Sequence, residues 1–234
     1  MTLLAIDTSE QSCSVALLDG EAVKCSVSEH IGRGHAERLL PLIEEQLDKA
    51  CRSYADISRV AVTTGPGTFT GLRIGLSVAR GLALQGSLPC IGLTGLSVLA
   101  AQGMRESDEG GIVHALITGR GGQAFFQSFR GRNDDDTPKP LSEPVGLDIG
   151  DIASEVGARG GIVVGSGVDL LVEAGHRQRL EAQGIRLHAD RVIDPLMLAY
   201  LSANLDAGGY PPEPTYFRAA DAKKATPVLP TAGA

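Results

Sequence analysis

The run LLAIDTS (Leu3–Ser9) ends near an acid, Asp7, and hydroxyl side chains follow it through DTSEQSCS (Asp7–Ser14). A carboxylate at a strand end, beside hydroxyls and turn N–H groups, can touch phosphate. Asp7, Thr8 and Ser9 are therefore candidate anion or nucleotide contacts. The enzymatic reading these residues allow is a small ATP-dependent phosphotransferase using Asp7. It requires a second phosphate hairpin, for which Gly119–Gly122 and Gly165–Gly167 are the only candidates, and neither is specific. A second stretch, TTGPGTFTGLRIGLSVARGLA (Thr63–Ala83), sets glycines before and inside a helix. A P-loop needs GxxxxGK[ST], because its lysine reaches the terminal phosphates. Here Gly65 and Gly71 are one residue too far apart, and Leu72-Arg73 follows. The dinucleotide fingerprint GxGxxG fails as well, since Gly65, Gly67 and Gly71 read GxGxxxG. Two generic readings remain. Bare N–H groups at Gly65 and Gly67 could hold an anion at a helix start, or the glycines could let backbones pack closely.

Other chemistries lack their residues. Two-metal nuclease chemistry gathers several carboxylates around the ions; Asp7 could be one, but the end of the next buried strand supplies Thr63 and Thr64. The five histidines (30, 35, 114, 176 and 188) include no pair three or four apart, so no HExxH-type zinc site is expected. No GxSxG elbow occurs. The acids of NDDDTPKP (Asn133–Pro140) have neither ligand spacing nor a companion histidine, and read as a solvated loop.

Composition narrows the class further. The chain has 234 residues, 43% hydrophobic, enough for one large domain or two small ones. Aromatic residues are 4% and Trp is absent, so the core must be mainly Leu, Ile, Val and Ala. A net charge of −7 argues against a lone nucleic-acid binder, which shows a basic stripe. Contact with RNA would be local, around Arg120, Arg130 and Arg132. Cys13, Cys25, Cys51 and Cys90 form no CxxC pair and read as reduced thiols of a cytoplasmic protein. The start MTLLAIDTSE lacks a basic leader, and no apolar run is long enough to span a membrane.

The elements that would carry these residues follow from pattern. Strands are expected at Leu3–Ser9, Cys13–Gly20 and Glu21–Glu29, with Asp19-Gly20 as a hairpin signal. Helical spacing runs over His35–Ala50, and Pro41 inside it predicts a kink or a late start. A buried strand at Ser58–Thr64, a helix over Gly71–Gln85, a strand at Pro89–Gly95 and a helix over Leu96–Met104 complete the first unit. The order β-β-β-α-β-α-β-α implies a mixed sheet with flanking helices, the half-unit of ribonuclease-H-like and actin-like folds. Farther on, Ile112–Arg120 and Gln123–Gly131 suggest a hairpin. A short helix at Asp148–Val156, a strand in Gly161–Gly167 and helices at Asp169–Ala182 and Pro195–Asp206 follow. A first lobe over 1–105, a smaller second lobe over 106–217 and a loose tail over 218–234 are expected.

Two helices carry more apolar residues than one buried stripe needs. In the first they are Leu39, Leu40, Leu42, Ile43 and Leu47; in the second Leu72, Leu76, Val78, Leu82, Ala83 and Leu84, with Gly71, Gly75 and Ala79 forming a smooth flank. Interior Gly75 and Gly81 cost about 1 kcal/mol each relative to Ala, so close contact should offset them. The smooth flank fits either the chain's own sheet or a helix of another chain. Surplus apolar surface on both helices predicts a helical contact with another subunit through Leu39, Leu40, Ile43, Leu47, Gly71, Leu72, Gly75, Leu76, Val78, Ala79 and Leu82.

The segments AIDTSEQSCSVAL, GHAERLLPLIEEQL, TTGPGTFTGLRIGLSVARGLA, LPCIGLTGLSVLA and PTYFRAADAK together resemble the TsaB (YeaZ) family, the accessory subunit of the bacterial machinery that makes threonylcarbamoyladenosine in tRNA. The resemblance implies a two-lobed actin-like fold and a scaffold without chemistry of its own. In the catalytic, TsaD-type sibling, a segment resembling GVNHLEGHL supplies two metal-binding histidines; the matching GLTGLSVLA here has Gly95 and Leu99 in their places. It implies pairing with that sibling through the two apolar helices, self-association as a homodimer through the same surface, and docking of a TsaE-type ATPase at the edge of the pair. ATP and metal would lie in those partners, with no cofactor held by this chain and tRNA engaged indirectly. Where the family shows DAR-x-GE-V-Y, this chain reads ITGRGGQAFF (Ile117–Phe126), so polar roles there do not carry over.

Overall fold

The computed structural model describes residues 1–107, 110–188 and 192–215. At its centre β1 (Thr2–Asp7) is buried along its whole length, because it has a strand on either side and both of its faces are covered. It pairs antiparallel with β2 (Ser12–Asp19), which returns through a hairpin at Gly20 into the edge strand β3 (Ala22–His30). Helix α1 (His35–Lys49) then leads to β4 (Ile57–Thr63), and α2 (Phe69–Gly86) to β5 (Cys90–Leu93). These strands pair in parallel, so each needs a crossover helix. The sheet order is β3-β2-β1-β4-β5, followed by α3 (Gly95–Met104). Pro41 neither delays nor ends α1, which begins at His35 and runs through it. Both Pro41 and Glu37, whose carbonyl loses its helical donor, are exposed, so water can satisfy that carbonyl.

The second sheet contains β6 (Ile112–Thr118) and β7 (Gln123–Arg132), paired antiparallel as the glycine turn between them requires. Three short strands were not legible in the sequence. Strand β8 (Pro138–Pro140) lies at the end of the acidic loop, β9 (Val145–Asp148) pairs with β7, and β11 (Arg186–Leu187) closes the far edge. Between them come α4 (Ile149–Arg159), β10 (Ile162–Val164), α5 (Val168–Glu173) and α6 (Arg177–Ala182). The expected single helix over Asp169–Ala182 is two, broken where Gly175 takes φ +77°. Helix α7 (Pro195–Ser202) is shorter than expected, and the expected tail 218–234 lies outside the described residues.

Three cores stack these parts into five layers. One face of the first sheet (Leu4, Ile6, Val15, Leu17) packs on α1 and α2. Its other face (Leu3, Ala5, Ala16, Leu18) shares a core with α3, α7 and the second sheet's Val113, Ala115 and Ile117. The outer face of the second sheet packs on α4, α5 and α6. Helix α3, from the first stretch of chain, lies mainly on β6 and β10, whereas α7, from the last, lies on β1 and β2. Helix α7, from the expected second-lobe range 106–217, thus packs on the first sheet in the core that both sheets share.

Candidate functional site

The turn after β1 and the glycine loop before α2 form one welded junction. Asp7 is fully buried, and its Oδ1 accepts hydrogen bonds from the Ser9 N–H (3.1 Å), Ser9 Oγ (2.7 Å) and Thr63 Oγ1 (2.6 Å). Burial raises its pKa, and these bonds oppose the rise. Thr8 Oγ1 donates to the Gly71 carbonyl at 2.8 Å, and the Thr68 N–H donates to the Ser9 carbonyl at 2.7 Å. A Cβ on Gly67 would collide with the Ser9 carbonyl, and one on Gly71 with the Thr8 carbonyl. The glycines thus allow backbones to approach, as the second of the two readings held. Asp7, Thr8, Ser9, Gly65 and Gly67, the expected anion or nucleotide contacts, are tied to one another and to neighbouring backbone. Gly65 takes φ +118°, and its carbonyl accepts from the Gly95 N–H at 2.7 Å. Asp7 braces this junction through Oδ1.

Most residues expected to meet another subunit also turn inward. Leu39, Ile43 and Leu47 of α1 and Leu72, Leu76 and Ala79 of α2 are buried in the chain's own core, as are Gly71 and Gly75. The smooth flank faces Thr8, where a Cβ on Gly75 would lie 2.5 Å from Oγ1. Of the eleven, Leu40 is 44% exposed, and Val78 and Leu82 are half-buried. Two apolar residues outside the eleven are open to solvent: Phe69, 51% exposed at the start of α2, and Leu84, already counted among the surplus apolar residues of that helix, 84% exposed near its end. Between α1 and α2 runs a groove walled by Ala36, Phe69, Ile74 and Val78, with the Arg73 guanidinium 3.7 Å from the Phe69 ring centre. The apolar strip that remains is therefore narrower than expected and shifted toward the ends of α2.

The histidines whose contacts are resolved have structural partners: His35 with the Ser12 carbonyl, His114 with Ser128 and Gly160, His188 with Glu106. Among the described residues, no group of three or more His, Cys, Asp or Glu could hold a metal. Gly95 begins α3 with Ile193 Cδ1 2.7 Å and Ile117 Cδ1 3.0 Å from where a Cβ would sit, and Leu99 is fully buried. No described helix is long and apolar enough to cross a membrane.

A cavity of about 590 Å³ opens beside the junction, between the first turn and the second sheet. Glu10, Phe69 and Leu72 line one side; Thr118, Arg120 and Phe125 line the other. Glu10 Oε1 accepts a hydrogen bond from Ser166 Oγ. Burial pushes the Glu10 carboxyl up to about 7; the Ser166 bond lowers it and the nearby Asp7 adds to the rise. No pattern in the sequence singles out Glu10, because a lone acid in a hydroxyl-rich turn looks solvated.

The family model described as TsaD, tRNA N6-adenosine threonylcarbamoyltransferase, matches residues 27–137. An Escherichia coli K12 protein named tRNA threonylcarbamoyladenosine biosynthesis protein TsaB is 38% identical over 130 residues, 56% of this chain and 55% of that protein. A Bacillus subtilis 168 protein of the same name is 32% identical over 133 residues, 57% of each. The chain spans about half the length of the curated relatives it matches. The solved structure of YeaZ from Pseudomonas aeruginosa superposes with a TM-score of 0.72 at 28% identity, covering 92% of this chain and 100% of that one.

Proposed function

The chain belongs to the TsaB (YeaZ) family, and on that premise we propose that it is a scaffold subunit in threonylcarbamoyladenosine biosynthesis, binding and organising a TsaD-type subunit for transfer to adenosine in tRNA. The observation that carries this reading is the set of incompletely covered apolar side chains on two adjacent helices, Leu40 on α1 and Phe69, Ile74, Val78 and Leu82 on α2. Large apolar side chains grouped beside a groove are what a partner helix covers. The same strip serves self-association when the sibling is absent. A TsaE-type ATPase docks at the edge of the pair, tRNA reaches this chain only indirectly, and the assembly works in the cytoplasm, where tRNA is modified.

Transfer chemistry, with its metal and ATP, belongs to the partners. Support comes from α3: a histidine at position 95 would have to displace Ile193 and Ile117, and position 99 lies in the core. A ligand side chain there would be buried among hydrocarbon rather than facing a substrate.

Phe69→Glu combined with Val78→Glu tests the docking surface. Both positions retain solvent exposure, whereas a charge at Leu76 would break the core and confuse unfolding with lost docking. The pair should weaken capture of the TsaD-type subunit by about 30-fold or more, with a near-unchanged melting temperature. Modified adenosine in tRNA, measured by mass spectrometry in a strain carrying only this variant, should fall accordingly. Full binding by a folded double variant would refute the assignment.

A further inference from the structure

The cavity beside Glu10 shares only Phe69 with the docking strip, and its polar groups form a pattern of their own. Ser166 Oγ donates to Glu10 Oε1 and accepts from the Thr118 N–H at 3.0 Å, holding the carboxylate from the second sheet's side. Only one carboxylate oxygen is engaged; Oε2 has no protein partner among the described residues, and Glu10 lines the cavity. The exposed Arg120 guanidinium also lines it, with no described acid paired to it. Pro66, Phe69, Leu72 and Phe125 supply an apolar wall between them.

The charge pattern of the cavity differs from that of a phosphate site, which gathers several donors and no acid. Five N–H groups around the cavity already have acceptors: Thr68 on Ser9, Gly71 on Thr68 Oγ1, Thr118 on Ser166, Gly119 on Gln123 and Gly167 on Leu116. Two carboxylates, Asp7 and Glu10, add repulsion on that side. A complementary ligand must bring a positive or hydrogen-donating group to Glu10, a single negative group to Arg120, and an apolar body between. The volume lies within the usual range of small-molecule sites.

We propose that this cleft binds a small zwitterion of amino-acid type, its ammonium on Glu10 Oε2, its carboxylate on Arg120 and its apolar side chain against Phe69 and Phe125. The site meets the α1–α2 strip only at Phe69, so binding and docking can be tested apart with variants at other positions.

The probe is L-phenylalanine, with 3-phenylpropionate lacking the ammonium, phenethylamine lacking the carboxylate, and ATP as a phosphate-bearing control. Binding to the full chain is read by NMR chemical-shift titration. L-Phenylalanine should bind saturably and more tightly than the other three. Glu10→Gln, which keeps an acceptor for Ser166, should weaken L-phenylalanine and phenethylamine about 10-fold while leaving 3-phenylpropionate unchanged. Arg120→Ala should do the reverse, weakening L-phenylalanine and 3-phenylpropionate. Leu40→Glu, on α1 and outside the cavity lining, serves as the docking-only control and should bind the probe normally. Absence of saturable L-phenylalanine binding, equal loss in all arms with both variants, or tighter binding of ATP would each overturn the proposal.

Discussion

Asp7 and Glu10 share one turn and differ in what surrounds them. Asp7 accepts three hydrogen bonds from within the junction, so its charge is compensated by fixed donors. Glu10 has a single donor, Ser166, and a carboxyl raised from 4.5 to about 7 by burial. A raised carboxyl means that the folded chain holds a proton the unfolded chain has released. Stability from this group is full below about 4.5 and is lost as pH rises to about 7, after which it stays flat. The loss is at most about 3 kcal/mol. Glu10→Gln should remove that slope, so that urea denaturation of the variant shows its gain over the parent at pH 8 and little difference at pH 4.5. An equal slope in both proteins would place the titrating group elsewhere.

At the scale of the element, α2 separates two glycines that look alike in sequence. Gly75 faces Thr8, where a Cβ would lie 2.5 Å from Oγ1, whereas nothing lies within 4 Å of a Cβ on Gly81. The expectation that both glycines are offset by close contact holds for Gly75 and fails for Gly81. Gly81→Ala should therefore stabilise the protein by about 1 kcal/mol, the ordinary helix preference. Gly75→Ala should destabilise it by about 1–3 kcal/mol, since Thr8 must give up its bond to Gly71 or the helix must shift. Thermal melts of the two single variants would separate these outcomes. Similar shifts of the same sign in both would contradict the packing described for this flank.

For the whole molecule, the decisive feature is the middle layer. Helix α3 leaves the first sheet to cover the second, and α7 returns to cover the first, so neither sheet has its inner face closed by its own stretch of chain. The excised first lobe, residues 1–107, should therefore expose Leu3, Ala5, Ala16 and Leu18 and fail to form a native monomer, with poorly dispersed NMR spectra or aggregation. The full chain should unfold in one cooperative transition, because the shared core couples the sheets. A well-dispersed, monomeric 1–107 would show that the lobes are independent after all.

Local chemistry in the chain was enough to place the β-β-β-α-β-α-β-α unit, the Asp19-Gly20 hairpin and the exclusion of P-loop and zinc chemistry. Each of these depends on period, spacing or residue type within a short window. The fold class followed from that order, because parallel strands require crossovers. The inward turn of Leu39, Leu76 and Ala79, the exposure of Phe69 and Leu84, the bracing of Asp7 and the exchange of α3 and α7 depended on tertiary structure alone. An apolar residue has the same pattern whether its cover is its own sheet or a second protein. Only the packing of distant segments decides which face of a helix is already closed, and only the same packing brings Glu10 and Ser166, 156 residues apart, to one cleft.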